Sequence, residues 1–507
     1  MDTTPDPASP LRTAGILRTL VERELRGIFA SPRFVATFGV CSLLVLLALL
    51  SGAVQYRAFV AQQAALGSLD AQELAEQTRW FALRPRALRA ADPLQIVATG
   101  VHPDTGRYSV VHPREAVALR QGVYEDDPIL AVFRDLDLAF VLQVVITLYA
   151  LLLTHDAVSG ERESGVLRLV LSHAVPRWKL LSAKVAGNLL GLGLPLLVPL
   201  LLGWLAMLAA GLPLGGEAGL RFALVLLAGM LLFAFFVVFG LMVSCLTRRA
   251  SISFLVALAA WIGMVLVLPR AGLLVAGELV PVPSAAEVDS ERAGVERELL
   301  GASERAASAR WAERRRELQA LPEAERTAYE DQRLWSWMEE DEKERQRVMG
   351  EIDAHRARLE QRVRNQRARQ ERLALGIAGW TPPAAFRAAA VTLATTGIDL
   401  GARYTSAIEV FREEVRRYLL AQDPAAGAVT VQATARVGAG GPQASSVRRG
   451  DEGTEPLDLS ELPRFAPPTV SLAALAGRVL PPLALMLGAS LAAFGVAAGA
   501  FARYDAR

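Results

Sequence analysis

Apolar residues are concentrated in six long blocks, and charged residues are concentrated between the blocks. A helix needs roughly 20 apolar residues to cross a hydrocarbon core of about 30 Å. Each block therefore predicts a membrane span. The blocks cover residues 34–54, 138–153, 186–210, 222–245, 252–268 and 472–501. The predicted fold class is mainly α, a polytopic membrane protein with six transmembrane helices.

Short basic segments predict how these spans are oriented. Arginine and lysine are frequent in four places: residues 1–33, the loop 154–185, the pair Arg248 and Arg249, and the residues after the last span. With six spans all four places fall on one side, and positive residues in short loops mark the cytoplasmic side. Both termini are therefore expected in the cytoplasm, with the protein in the inner (cytoplasmic) membrane. The loops 56–132 and 281–470 are expected to be extracytoplasmic.

The first of these loops predicts a small β element. Residues 96–100 and 107–111 are rich in β-branched residues, and Pro-Asp-Thr-Gly lies between them at 103–106. This turn chemistry between two short apolar runs is typical of a β-hairpin.

The second loop predicts a largely helical domain. Leu321-Pro322 interrupts its charged stretch, and proline does not fit inside a helix, so we expect a hairpin of helices over 285–320 and 323–376. A shorter helical region over 383–420 and a flexible, glycine-rich loop over 422–455 follow. The charged faces are expected to be solvated, and an extracytoplasmic protein partner is the alternative.

Composition excludes several classes of function. The net charge of +2 gives no signal for nucleic acid. The phosphate-binding pattern Gly-x-x-x-x-Gly-Lys-(Ser/Thr) is absent, so this chain is not expected to hydrolyse ATP. The histidines do not pair with cysteine or carboxylate at metal-ligand spacing. We therefore expect no catalytic site, no metal and no cofactor in this chain.

The cytoplasmic loop 156–184 has a pattern of its own, DAVSGERESGVLRLVLSHAVPRWKLLSAK. Val166, Leu169, Val170 and Leu171 form an apolar face in a helical projection, with charged residues opposite. Such a helix lies on the membrane surface or docks into the groove of a partner.

The residues of this loop resemble those of the ABC-2-type permeases of ATP-driven transporters. An acidic–Gly–Leu segment, a short apolar stretch, a Pro–basic turn and a lysine that opens the third span all match, although Val166 stands where threonine is usual. The matching residues are Glu161, Glu163, Gly165, Leu167, Leu169, Leu171, Pro176, Arg177, Lys179 and Lys184. The insert before the last span resembles that of a subgroup with a large extracytoplasmic region.

The resemblance implies that loop 156–184 is a coupling segment that follows the motion of a separate cytoplasmic ATPase, which binds ATP-Mg. The residues expected in this coupling are Glu161, Arg162, Glu163, Gly165, Leu167, Leu169, Pro176 and Arg177. It also implies two ATPase copies, a second permease subunit that is identical or paralogous, and export rather than import. The amphipathic segment 17–29 resembles the interfacial helix of such permeases. A membrane-anchored protein that works mechanically on envelope partners, without moving substrate, is the alternative.

Two glycine pairs inside the spans permit close helix contact. Gly187 and Gly191 are four residues apart, as are Gly495 and Gly499. Packing within the chain and pairing with a second subunit both fit this spacing.

Overall fold

The structure is a computed structural model that describes residues 10–113, 117–122, 136–172, 176–422, 435–438, 441–444 and 457–503. The described chain is mainly helical and has two small antiparallel sheets. The first eight helices are α1 (Pro10–Phe29), α2 (Pro32–Ala75), α3 (Leu138–Phe140, then Val141–Ile146 and Thr147–Thr154), α4 (Ser159–Glu163), α5 (Val166–Ser172), α6 (Arg177–Asn188, then Leu189–Gly193 and Leu194–Ala209), α7 (Gly216–Leu246) and α8 (Ala250–Ile262, then Gly263–Val267 and Leu268–Leu279). The others are α9 (Ala285–Ala320), α10 (Glu323–Ala378), α11 (Pro382–Leu393), α12 (Asp399–Gln422) and α13 (Leu472–Ala502).

Six helices of the described chain are long and apolar enough to cross a membrane, which confirms the predicted number. They are α2, α3 with its continuation into α4, α6, α7, α8 and α13. The first of them is longer than its apolar block, because α2 continues from residue 54 to Ala75. Alanine, leucine and glutamine dominate this extension and favour helix without being apolar enough to span.

Three of the spans contain a π-helical turn, which the apolar pattern does not predict. These turns are Val141–Ile146 in α3, Leu189–Gly193 in α6 and Gly263–Val267 in α8. A π-helical turn widens the helix locally and is frequent where a helix changes shape for function.

The chain divides into two compact units. The first comprises Met1–Ala271, Ile377–Ala426 and Glu455–Arg507. Its main core forms where α7 packs against α3, α11 and α13. Phe222, Phe233 and Phe236 of α7 are at most 1% exposed there.

A polar cluster joins α3 to neighbouring segments of the first unit. Asp137 caps α3, accepting from the Phe140 N–H at 2.6 Å and from the Thr99 N–H at 2.9 Å. Arg387 of α11 pairs with the same carboxylate at 3.0 Å. A buried carboxylate needs such partners, so this cluster fixes the start of the second span.

The predicted β-hairpin is wrong in one of its strands. Strand β2 (Tyr108–Val110) lies where expected, but its antiparallel partner is β1 (Arg86–Leu88), with Ala87 opposite Ser109. The segment Pro93–Ile96 is instead a short 3-10 helix capped by Asp92. Ile96 is 1% exposed in the main core, so burial decides its conformation over β-propensity.

A second hydrophobic core of the first unit surrounds α12, and we call this region the end domain. The buried face of α12 repeats every three or four residues, as expected for one side of a helix. Strand β1 and residues 457–465 pack against this face. The α12 residues concerned are Leu400, Tyr404, Ile408, Phe411, Val415 and Leu419.

The second unit, Gly272–Gly376 and Gly427–Thr454, contains the helical hairpin. Helix α9 ends at Ala320 and α10 begins at Glu323, so the break at Leu321-Pro322 lies where proline predicts it. Near this break the guanidinium of Arg314 lies 4.8 Å from the ring centre of Trp311 and 5.4 Å from that of Trp337. Asp341 accepts from Arg314 at 3.1 Å, so cation–π and ionic contacts join the two helices at this end.

The loop predicted over 422–455 lies mostly outside the described residues. Two short strands occur within it, β3 (Ala435–Gly438) and β4 (Gly441–Ala444), and they pair antiparallel. These residues therefore form regular structure within the segment predicted as a flexible loop, and its flexibility stays a prediction.

Candidate coupling segment

Two short helices form the segment between the second and third spans, where the sequence predicts one amphipathic helix. Gly165 separates α4 from α5 and has a φ of +77°, a left-handed conformation that favours glycine. The bend allows α4 to remain against the ends of the spans while α5 takes a different direction. Gly165 thus has a backbone role at this position.

A buried lysine joins the segment to two other helices. The Lys184 side chain of α6 is 2% exposed, and its Nζ lies 3.0 Å from Glu24 Oε1 of α1 and 2.9 Å from Glu161 Oε1 of α4. Glu161 therefore faces inward in this chain. A buried ammonium is stable only when it is paired, and here two carboxylates share it.

Arg162 and Glu163 contact the ends of the fourth and fifth spans. The Nη1 of Arg162 donates to the Thr247 carbonyl at 2.8 Å, directly after the last residue of α7. Glu163 Oε2 accepts from the Ala250 N–H at 3.2 Å, at the start of α8. Both contacts match the helix dipole, since cations stabilise helix C-termini and anions stabilise N-termini.

Further hydrogen bonds hold the start of the segment. The Ser244 hydroxyl of α7 accepts from the N–H groups of Val158 at 3.0 Å and Ser159 at 2.9 Å. Arg33, in the first turn of α2, pairs with Asp156 at 3.4 Å. Through these contacts α4 is joined to α2 and α7 as well.

The leucines of α5 differ in their exposure. Leu167 is the fully buried leucine of α5, whereas Leu169 is 66% exposed. Pro176 precedes the first turn of α6, and Arg177 donates a hydrogen bond to the Ala502 carbonyl at the end of α13. Trp178, the next residue, is 64% exposed. Two large apolar side chains of this segment are therefore available to a partner.

Comparison with known protein families shows which family model covers the segment. The model of the ABC-2 family transporter proteins matches residues 18–289, which is more than half of the chain. The chain belongs to the ABC-2 transporter family. The match covers α1 from residue 18 onward, the coupling segment and the first five spans of this permease. A second model, a domain of unknown function named DUF3526, matches residues 297–432. None of the curated proteins compared with the permease matches it.

The two glycine pairs of the permease have different surroundings. A Cβ at Gly187 would lie 2.6 Å from Glu24 Cβ, and one at Gly191 would lie 2.9 Å from Ile28 Cδ1. These glycines therefore let α1 approach α6 closely within one chain. A Cβ at Gly495 or Gly499 would meet no described atom within 4 Å, so this pair does not mediate packing within the described chain.

The sequence pattern of the permease does not show the inward role of the charges in the coupling segment. Glu24 and Arg33 lie far from the segment along the chain, and Ser244 lies inside an apolar block. One signal is local: Lys184 directly precedes a span, where an unpaired lysine would be costly. Asn188, also polar and 3% exposed, donates to the Lys184 carbonyl at 2.8 Å and so supports the same helix.

Proposed function

We propose that this permease exports its substrate and is driven by a separate ATPase that docks on the exposed side of α5. The observation that carries the proposal is the division of roles within the coupling segment. Its charged residues hold the ends of the spans, while Leu169 is 66% exposed. An exposed leucine on a short helix is suited to a groove in a partner.

The contacts of the segment give a route for motion into the membrane. A displacement of α4 acts on α1 and α6 through Lys184, on α7 through Arg162 and on α8 through Glu163. Charge-assisted hydrogen bonds are stronger than neutral ones, so the helix ends follow α4. The π-helical turns in α3, α6 and α8 are sites where these spans can deform.

The proposal includes the remaining subunits and the location. The family resemblance favours two ATPase copies with ATP-Mg bound by them, a second permease subunit that is identical or paralogous, and export across the inner membrane. The basic residues in the short loops favour a cytoplasmic position for the coupling segment. Gly495 and Gly499, where an added Cβ would meet no described atom within 4 Å, offer a close-contact surface to the second permease.

Replacing the exposed leucine tests the docking site. The tagged permease is co-expressed with the ABC ATPase subunit that co-purifies with it from native membranes, and recovery and ATP hydrolysis are measured. We expect Leu169→Asp to lower ATPase recovery by about 30-fold, the effect of losing a residue that dominates an interface. The matched control is Leu420→Asp, because Leu420 of α12 is 42% exposed and lies outside the coupling segment.

The docking proposal fails if Leu169→Asp retains both the ATPase and its stimulation. The proposal also fails if Leu420→Asp lowers ATPase recovery as much as Leu169→Asp does, because the loss would then not depend on the coupling segment. Both variants must reach the membrane in equal amounts, which is measured in the same preparations.

The helical hairpin supports a second function, mechanical work on envelope partners. Helix α10 has 56 residues and is therefore about 84 Å long. Its contacts with α9 through Arg314 and the two tryptophans stiffen the end near Leu321. Reconstituted vesicles separate the two functions: ATP-dependent movement of solutes from a cell extract favours transport, and ATP hydrolysis without any such movement favours mechanical work.

A further inference from the structure

A cavity of about 300 Å³ lies in the first unit between the end domain and the start of α7. This volume is within the range of pockets that hold small ligands. Its lining is rich in nitrogen donors from separate parts of the chain. The lining residues used below are Arg89, His102, Glu217, Arg221, Arg403 and Asp92.

Three side chains of this cavity each have a buried nitrogen that makes no hydrogen bond within the described residues. They are His102 Nε2, Arg403 Nε, which lies 3.4 Å from Asp399 Oδ2, and Arg221 Nε, which lies 3.9 Å from Glu217 Oε1. His102 is 7% exposed. Buried polar groups in native proteins almost always have a hydrogen-bond partner, so the His102 nitrogen, together with two guanidinium nitrogens that have only an ion-pair contact, points to a ligand that accepts hydrogen bonds.

Arg89 adds a cation without a carboxylate partner among the described residues. It is 1% exposed and donates to the carbonyls of Gly106 at 3.1 Å, His102 at 3.2 Å and Thr105 at 3.3 Å. Burial lowers the pKa of Arg89 to about 10 and holds that of His102 well below its usual range. The positive charge of Arg89 is therefore buried at a cost in free energy, and a bound anion would offset this cost.

The acidic residues of the cavity are already engaged. Asp92 pairs with Arg221 at 3.2 Å and accepts from the Thr395 hydroxyl at 2.8 Å. Glu217 accepts from the Leu472 N–H at 2.8 Å. Arg403 lies 3.4 Å from Asp399, a carboxylate that Arg478 also contacts at 2.9 Å. Positive charge from Arg89 thus remains in excess.

We infer that this cavity binds a phosphoryl anion, with Arg89, Arg221, Arg403 and His102 around its oxygens. Arginine is suited to this role because its planar guanidinium presents several donors to phosphate oxygens. The neutral His102 imidazole supplies one further N–H. The site is independent of ATPase docking and lies outside the coupling segment.

The position of the cavity suggests two sources for the anion. Glu217 and Arg221 belong to the first turns of α7, where this span enters the membrane. A lipid headgroup is present at that level, and a soluble phosphate monoester can enter from the aqueous side. Both present the same phosphoryl oxygens.

Binding is measured on the full-length permease in two arms. In the lipid arm, nanodiscs contain phosphatidylcholine alone or with phosphatidylglycerol, and native mass spectrometry counts retained phosphatidylglycerol. In the soluble arm, inorganic phosphate or glycerol phosphate is titrated in detergent while the melting temperature is followed. Saturable binding in one arm, with a dependence on Arg403, supports the site and identifies its source.

Arg403→Gln is expected to weaken binding by about 10- to 100-fold, the effect of losing hydrogen bonds to a charged group. Arg478→Gln is the matched control: it removes a partner from the same Asp399, but Arg478 does not line the cavity. Glu217→Gln is expected to strengthen binding by about 2- to 5-fold, because it removes a negative charge and keeps the oxygen that accepts from Leu472.

The inference is overturned if neither arm shows saturable binding, or if Arg403→Gln and Arg478→Gln have equal effects. If phosphate binds with the same affinity in every variant, it is an adventitious ion only, and this result also overturns the inference. If Arg403→Gln does not fold, Glu217→Gln decides alone: tighter binding supports the site, and unchanged or weaker binding refutes it.

Discussion

Lys184→Met is the sharpest test of how the coupling segment is held. In the native chain the Lys184 ammonium lies within 3.0 Å of both Glu24 and Glu161, and its side chain is 2% exposed. Methionine has a similar length and keeps the apolar contacts of the stem, so the substitution removes mainly the charge. Two carboxylates on different helices then face each other without a cation.

The structure sets the size of the effect. Removing one member of a buried ion pair costs about 3–5 kcal/mol, because the partner remains as an uncompensated charge. Glu24 and Glu161 are 19% and 22% exposed, so water partly solvates them. We therefore expect a loss of about 3 kcal/mol, at the lower end of this range.

The assay compares thermal melting of the purified permease with protease access to α1. Lys179→Met is the matched control, because Lys179 is on the same helix, is 8% exposed and has no carboxylate partner among the described residues. Lys184→Met should melt earlier than this control and expose α1 to cleavage. Adding Glu161→Gln should restore part of the loss, since one of the stranded charges is then removed.

The reasoning is refuted if Lys184→Met and Lys179→Met melt together and α1 stays protected. A double variant with Glu161→Gln that is less stable than Lys184→Met alone would also contradict it. In either case the two ion pairs would contribute no net stability to the contact between α1, α4 and α6.

Two further predictions concern glycines. Gly165→Ala, at φ +77°, should lower the free energy of unfolding by about 1–2 kcal/mol, measured in a thermal melt. The control, Gly160→Ala inside α4, should be neutral or stabilising. Equal effects of the two substitutions would contradict the backbone role of Gly165. Gly191→Leu should destabilise the isolated permease by about 1–3 kcal/mol through overpacking against Ile28. Gly495→Leu should leave the stability of the isolated permease unchanged. It should weaken only the pairing of subunits, which is measured by size-exclusion chromatography. A Gly495→Leu permease that melts early as an isolated chain would contradict the open surroundings at that position.

The segment from strand β1 to strand β2 shows where sequence patterns mislead. Residues 96–100 carry strong β-propensity, yet Ile96 is buried in the main core and Arg86–Leu88 pairs with β2 instead. Pairing of strands depends on which segments meet in space, and a short apolar run fits a strand or a buried turn equally well.

The coupling segment shows the same limit for charged residues. Its pattern predicts one amphipathic helix with Glu161, Arg162 and Glu163 on the polar side, opposite an apolar face. In the structure these side chains reach Lys184, Thr247 and Ala250. Helical periodicity places residues on one side of a helix, but it does not tell which side faces the rest of the protein.

The sequence by itself determined the number of spans and the break of the helical hairpin, because bilayer thickness fixes apolar length and proline excludes helix locally. The number of spans and the position of the break depend on residues that are close to one another along the chain. Only the tertiary structure decided that Lys184 joins α1 to α4, that Leu169 is exposed, and that Arg89, Arg221 and Arg403 surround one cavity. The pairing of Lys184 with Glu24 and the lining of the cavity join residues more than a hundred positions apart, and the energies of these contacts arise only when the spans have packed.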